Sequence, residues 1–246
     1  MEGPPLRAIA EHLSFLEKLR IGEVSGNTKA GKERLQGQKV SRIYTVGKRL
    51  VIETDSLVIL IHFLMFGSYR LNERREGMEP RLSLALGGNE LNFYNCSVKI
   101  FTGKELTDLD PDSDILNPGF ARFRAIEAMR GYDGVIADLL LDQTIFAGVG
   151  NIIKNEALYA AGIHPASTSK SIPEELAKRL IEETIRFSNE FLAVKRGGRE
   201  LKPILKVYQQ RVCSRCKSRI TVTKMGTRRR RTFFCPTCQI LLQGGP

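Results

Sequence analysis

The sequence predicts an α+β chain of three parts: an N-terminal β-sandwich led by a helix, a helical domain, and a C-terminal β-hairpin closed by four cysteines. Three observations carry this. β-Branched and aromatic runs fill residues 40–71 and recur to Tyr94, as half-buried strands require. Beyond Pro118 the apolar residues recur at helical spacing. Near the end, Cys213-Ser-Arg-Cys216 and Cys235-Pro-Thr-Cys238 stand eighteen residues apart. The three parts are assigned to residues 1–110, 111–200 and 201–246.

The elements follow in order. Leu6, Ile9, Leu13 and Leu16 recur at helical spacing behind Pro4-Pro5, which predicts an amphipathic helix almost at the start of the chain. Its short, proline-stiffened lead is expected to hold the leading amine near the body. The runs Arg49-Leu-Val-Ile52, Leu57-Val-Ile-Leu-Ile61, Leu82-Ser-Leu84-Ala-Leu86 and Leu91-Asn-Phe93-Tyr read as strands, with Gly87-Gly88-Asn89 as a hairpin turn. The Asp-, Pro- and Asn-rich segment 108–118 marks a domain boundary. Helices are expected over 120–129 and 135–141, and a longer one behind a Ser171-Ile-Pro173-Glu174 capping box, ended by Gly197-Gly198. Cys96 is read as a small apolar filler.

Two Cys-x-x-Cys knuckles can each wrap one side of a tetrahedral ion, so Cys213, Cys216, Cys235 and Cys238 are assigned to one structural zinc. Between them, Ile220-Thr-Val222-Thr, Met225-Gly226-Thr227 and Arg228-Arg-Arg-Arg231-Thr-Phe233-Phe234 read as a hairpin whose returning strand is basic. Alternation sends Arg228 and Arg230 to one face and Arg229 and Arg231 to the other. The net charge of +11 is concentrated here: eleven Lys and Arg and no acidic residue lie beyond Glu200, leaving 27 basic against 27 acidic residues before it. A neutral body with a cationic finger predicts a polyanionic partner. Nucleic acid is favoured over a membrane surface, because the finger lacks an apolar helical face. No apolar run reaches the ~20 residues of a membrane span, and thiols kept for a metal suit a reducing, intracellular setting, cytoplasmic or nucleoid-associated.

The stretch Gly148-Val-Gly150-Asn151 precedes a helix and is expected to offer backbone donors and an amide to a phosphate; a plain helix–helix turn would look the same. Taken alone, His62 and Met65 would more often be core residues. The run Leu139-Leu-Leu-Asp142-Gln143 through Gly148-Val-Gly-Asn151 to Ile163-His164-Pro165 closely resembles the helix-two-turn-helix signature of the formamidopyrimidine-DNA glycosylase and endonuclease VIII family. Glu2-Gly3-Pro4, Gly47-Lys48, His62-Phe-Leu-Met65-Phe-Gly67 and the cysteine ribbon extend the resemblance over nearly the whole chain.

The resemblance implies a monomeric base-excision-repair enzyme that grips double-stranded DNA carrying a damaged base or an abasic site. An N-terminal amine attacks the sugar C1′ to form an imine, and no metal does the chemistry. It places Lys48, His62, Asn151 and Arg230 on phosphates around a flipped nucleotide, and Met65 in the hole left in the duplex. Arg230 lies five residues before Cys235, where the family places its ribbon arginine; the eighteen-residue spacing exceeds the family's sixteen, which leaves that position to be tested. Here Met1 stands in place of the family's proline, while Glu2 keeps its register. Met1 and Glu2 are therefore the expected catalytic pair, with Lys48 as a second amine. Only fourteen residues separate Gly198 from Cys213, too few for a long lesion-capping loop, which favours oxidised pyrimidines or abasic sites. The rival expectation is a damaged-DNA-binding protein that lost its chemistry with the proline.

Overall fold

The computed structural model describes residues 1–102 and 109–243. It divides into two compact units: Met1 with Pro5–Leu109, and Glu2–Pro4 with Asp110–Pro246. Asp108, where the expected boundary segment opens, and the last three residues of the ribbon lie outside the described residues.

In the first unit, helix α1 (Gly3–Leu13) and the 3-10 turn Ser14–Leu16 send Leu6, Ala10, Leu13 and Leu16 into the core. Six strands follow: β1 (Ile21–Ser25), β2 (Val40–Val46), β3 (Arg49–Thr54), β4 (Leu57–Leu71), β5 (Leu82–Leu86) and β6 (Asn89–Thr102). They form one antiparallel sheet in the order β1-β5-β6-β4-β3-β2, not two separate ones. The long strands β4 and β6 pass through both halves, and their pairing breaks between Phe63 and Ser68. A bulge of this kind bends a sheet. The outer strands meet as a result: Arg20 pairs with Lys39, and the Ile21 and Val40 amides donate to the Gln38 and Leu19 carbonyls at 2.8 and 2.9 Å. The sandwich is thus a single sheet doubled over one apolar core. Gly87 and Gly88, both at positive φ, make the two-residue turn joining β5 to β6, as hairpin twist demands.

The second unit holds α2 (Arg122–Gly131), the single turn α3 (Ile136–Leu139), α4 (Asn151–Ala161), α5 (Glu174–Arg196), and the hairpin β7 (Thr221–Met225) and β8 (Arg230–Phe234). Helix α5 buries Leu180, Ile181, Thr184, Phe187 and Phe191 along one face. Its expected capping box does not form. Pro173 occupies the cap position with no side-chain cap, and Ser171 is spent in a preceding 3-10 turn; the fixed φ of proline starts the helix instead. The ribbon is not a separate body. Its backbone pairs with the α4–α5 connection through Ile163 and Ile240, and the His164 amide donates to the Ile240 carbonyl at 2.9 Å.

Candidate nucleic-acid interface

Helix α4 organises the site in the second unit. Gly148, at φ +97°, turns the chain into it, and the Gly3 amide donates to the Gly148 carbonyl at 2.9 Å. This brings Glu2 over the start of the helix, where its carboxylate accepts the Ile152 and Ile153 amides at 2.7 and 3.3 Å. The expectation that these donors await a phosphate is therefore corrected: the protein's own carboxylate takes them. Free N–H groups and the helix dipole hold an anion there. Gly150 is required by the same contact, because a Cβ on it would overlap the Glu2 side chain.

One turn further along, three consecutive polar residues are buried. Lys154, Asn155 and Glu156 are 1, 1 and 3 % exposed, and each holds the C-terminal segment. Lys154 Nζ donates to Thr232 Oγ1 at 2.9 Å, and Asn155 Oδ1 accepts the Phe233 amide at 2.9 Å. The Glu156 carboxylate accepts the Lys206, Val207 and Tyr208 amides at 2.8–3.0 Å; burial nonetheless leaves its carboxyl above the usual range. Asn151 joins them through Nδ2, which donates to the Arg231 carbonyl at 2.8 Å, while its Oδ1 is buried without a partner. At the hairpin tip, Asp138 of α3 accepts the Thr227 amide at 2.8 Å. The finger is thus laced to the helices along its length.

Only two of the four arginines lie in the strand. Residues 226–229 form the turn, with Arg229 at φ +47°, and β8 begins at Arg230; the expected alternation over all four is corrected accordingly. Arg231 lies over the Phe233 ring at 5.4 Å. Arg230 shares the opposite face with Thr232, and its charge, with those of Asp138 and Glu2, is felt by Lys154. Glu2, Asn151, Lys154 and Arg230 therefore belong to one corner of this unit.

The remaining predicted residues lie in the first unit. Lys48 is in the β2–β3 turn behind Gly47, and its carbonyl lies 3.0 Å from His62 Nδ1. A carbonyl only accepts, so Nδ1 carries the proton and Nε2 is left to accept. His62 is exposed, and Met65, at 71 %, is the middle of an exposed Leu64-Met65-Phe66 knob on the β4 bulge. Neither is a core residue. The knob is rigidly built: Asn95 Nδ2 donates to the Met65 carbonyl, and Gly67 has no room for a Cβ against the Asn95 carbonyl. Met1 is exposed, at 41 %. Cys96 is buried, its thiol pushed up to about 11 by burial, as an apolar filler should be.

Among the described residues the four ribbon cysteines bring their sulfurs within 4.8 Å of one another, with Cys213–Cys238 at 3.8 Å and Cys216–Cys235 at 3.4 Å. Tetrahedral zinc with Zn–S bonds near 2.3 Å needs S···S separations of about 3.8 Å. The donor set fits such an ion.

Two family models match the chain: the formamidopyrimidine-DNA glycosylase N-terminal domain over residues 9–97 and the formamidopyrimidine-DNA glycosylase H2TH domain over 112–202. The chain belongs to the formamidopyrimidine-DNA glycosylase and endonuclease VIII family. Within that family it is similar to Endonuclease 8-like 3 of Mus musculus, 36 % identical over 82 % of this chain and 35 % of the relative. It is also similar to Endonuclease 8-like 2 of Homo sapiens, 34 % identical over 76 % of this chain and 58 % of the relative. The chain thus spans about a third to three-fifths of the length of these relatives. Its fold is that of a Lactococcus lactis formamidopyrimidine-DNA glycosylase bound to DNA containing an abasic site, with TM-score 0.86 at 23 % identity over 97 % of this chain and 99 % of that one. The same enzyme with DNA containing an oxidised pyrimidine gives TM-score 0.87 at 22 % identity, again over 97 and 99 %.

For a glycosylase-family ribbon, the unforeseen feature is how much of α4 serves it. Three adjacent polar residues in an otherwise apolar helix cannot all face solvent when the helix is buried, and that pattern was the available sign. Tyr159, also on α4, places its hydroxyl 3.1 Å from Cys213 Sγ, with Arg215 stacked 4.3 Å over its ring. A hydroxyl donating to a ligating thiolate steadies the ligand. Tyr159→Phe is expected to weaken metal retention about tenfold, read as faster release to a colorimetric chelator; an unchanged release rate counts against that role.

Proposed function

We propose that this chain is a DNA glycosylase and abasic-site lyase of the endonuclease VIII type, acting in a reducing intracellular compartment as a monomer. The observation that carries the reading is the Glu2 carboxylate anchored on the α4 N-terminus, one peptide bond from the amine of Met1. The Met1 amine attacks the sugar C1′, and its surplus proton passes to Glu2. The glycosidic bond breaks with its electron pair on the base, or is already absent in an abasic site. Glu2 returns the proton to the ring oxygen as the C1′–O4′ bond opens, leaving an imine. Loss of a C2′ proton then expels the 3′ phosphate, and water releases the amine. A primary α-amine titrating near 7.7–8.0 is about a tenth or more unprotonated at neutral pH, so it is competent.

Lys48, His62, Asn151 and Arg230 are proposed to hold backbone phosphates, Met65 to fill the vacated stack, and Cys213, Cys216, Cys235 and Cys238 to bind a structural zinc. Oxidised pyrimidines and abasic sites are the favoured substrates. The connector before Cys213 is drawn onto Glu156 by its own backbone amides and so supplies no lesion-capping loop, in keeping with the endonuclease 8-like relatives.

Borohydride trapping on abasic duplex tests the chemistry. A covalent adduct that disappears when the N-terminus is acetylated is expected. An adduct that survives acetylation transfers the role to Lys48. Tight binding with no adduct and no strand cleavage on abasic, thymine glycol or 8-oxoguanine duplexes leaves a damage-binding protein, the reading that Met1 in place of proline favours.

A further inference from the structure

Lys154 is the one polar residue of α4 whose burial carries a full side-chain amine into the protein, at 1 % exposure. The charged groups that face it come from three elements: Asp138 on α3, Glu2 at the chain start, and Arg230 on β8. Burial pulls its ammonium down to about 8, against the carboxylates that raise it, so it is still mostly charged at neutral pH. Its Nζ bonds Thr232 Oγ1, and that hydroxyl donates to the Arg230 carbonyl at 3.1 Å. Arg230 itself is exposed, and among the described residues no group bonds its guanidinium.

A carboxylate at this corner needs a counter-charge, and two cations are within electrostatic reach of it. If the mobile one supplied that charge, the arginine assigned to DNA would be folded back onto the protein. We infer that Lys154 is a positioning residue that serves as the resident counter-ion of Glu2 and thereby keeps Arg230 extended for a phosphate. The neighbouring ammonium also repels the guanidinium outward, and the Thr232 relay fixes the strand from which it projects. The inference rests on the DNA-binding reading for its purpose, though not for its geometry.

Two measurements separate the inference from that reading. In DNA-free protein, phenylglyoxal modification followed by peptide mapping reports whether each guanidinium is free, with Arg228 as internal reference. Arg230 is expected to react as an open arginine in the native chain and several-fold more slowly in Lys154→Met, with Glu2→Gln in the same chain restoring the rate. Equal rates in native and Lys154→Met protein overturn the inference whatever the DNA result. With a duplex carrying a tetrahydrofuran abasic analogue, Lys154→Met is expected to weaken affinity roughly tenfold, within the range of coupled neighbours, and to add nothing when Arg230→Ala is already present. Native affinity is expected to fall between pH 7 and 9, and this fall to be smaller in Lys154→Met, the Met1 amine being common to both. Full additivity with Arg230→Ala overturns the inference, whereas a native chain that ignores the abasic duplex while the mapping result holds removes the DNA reading and leaves the counter-ion role.

Discussion

Gly150→Ala is expected to lower strand cleavage at an abasic site by about 10²-fold while altering no group assigned to the chemistry. The added methyl would occupy the space of the Glu2 side chain, and neighbouring backbone cannot yield because Gly150 joins the Gly148 turn to the first residue of α4. The carboxylate must leave the Ile152 and Ile153 amides, and with it goes the placement of the residue before it. A displacement of about 1 Å at a reacting group costs roughly this factor in rate. Stripping the helix start of its acceptor should also destabilise the fold by about 1 kcal/mol, a fall of a few degrees in Tm. Cleavage at the native rate would show that Glu2 does not need this seat. The φ of Gly150 is −118°, a value open to alanine, so steric displacement and not backbone strain is what the variant tests.

The second large effect has the opposite sign in stability. Folding pulls the Lys154 ammonium from the ordinary 10.5 to about 8, so between those values the unfolded chain binds the proton that the folded chain has released. Stability therefore rises with pH from about 8 to about 10.5, and below 8 the whole cost is present, about 3 kcal/mol for such a shift. Lys154→Met removes that cost and keeps the volume. Thr232 loses one donor but retains its own bond to the Arg230 carbonyl, which limits the loss to about 1 kcal/mol. The variant is expected to be more stable than the native chain by about 1–3 kcal/mol at pH 7 in urea unfolding. Its stability should also lack the rise that the native chain shows above pH 8. A less stable variant would mean that Lys154 is held for structure alone. A gain in stability joined to a loss of DNA affinity is the signature of a residue kept for function at the expense of the fold.

Much of the architecture was legible in the residues because it depends on local pattern. Period-two runs at 49–52 and 57–61 became β3 and β4, Gly87-Gly88 became the turn, and the helical spacing of Leu6, Leu13 and Leu16 became a buried stripe. The cysteine spacing foretold a cluster able to hold an ion, since two knuckles need little else to converge. Local pattern failed where a competing local solution existed. Ser171 offered a cap that Pro173 made unnecessary, and the four-arginine run lost its first two members to a turn because Gly226 and Arg229 take positive φ.

By itself, then, the sequence determined the succession of elements, the basic finger and its thiolates, and the family to which these motifs belong, because each follows from spacing along the chain. Only the tertiary structure decided that Glu2 fills the helix N-terminus offered by Gly148-Val-Gly150-Asn151, and that Lys154, Asn155 and Glu156 are spent on the ribbon. Those partners lie about 150 and 50 to 78 residues apart. A buried donor or carboxylate must find a partner, but the requirement names only a chemistry, and the fold chooses which distant residue answers it.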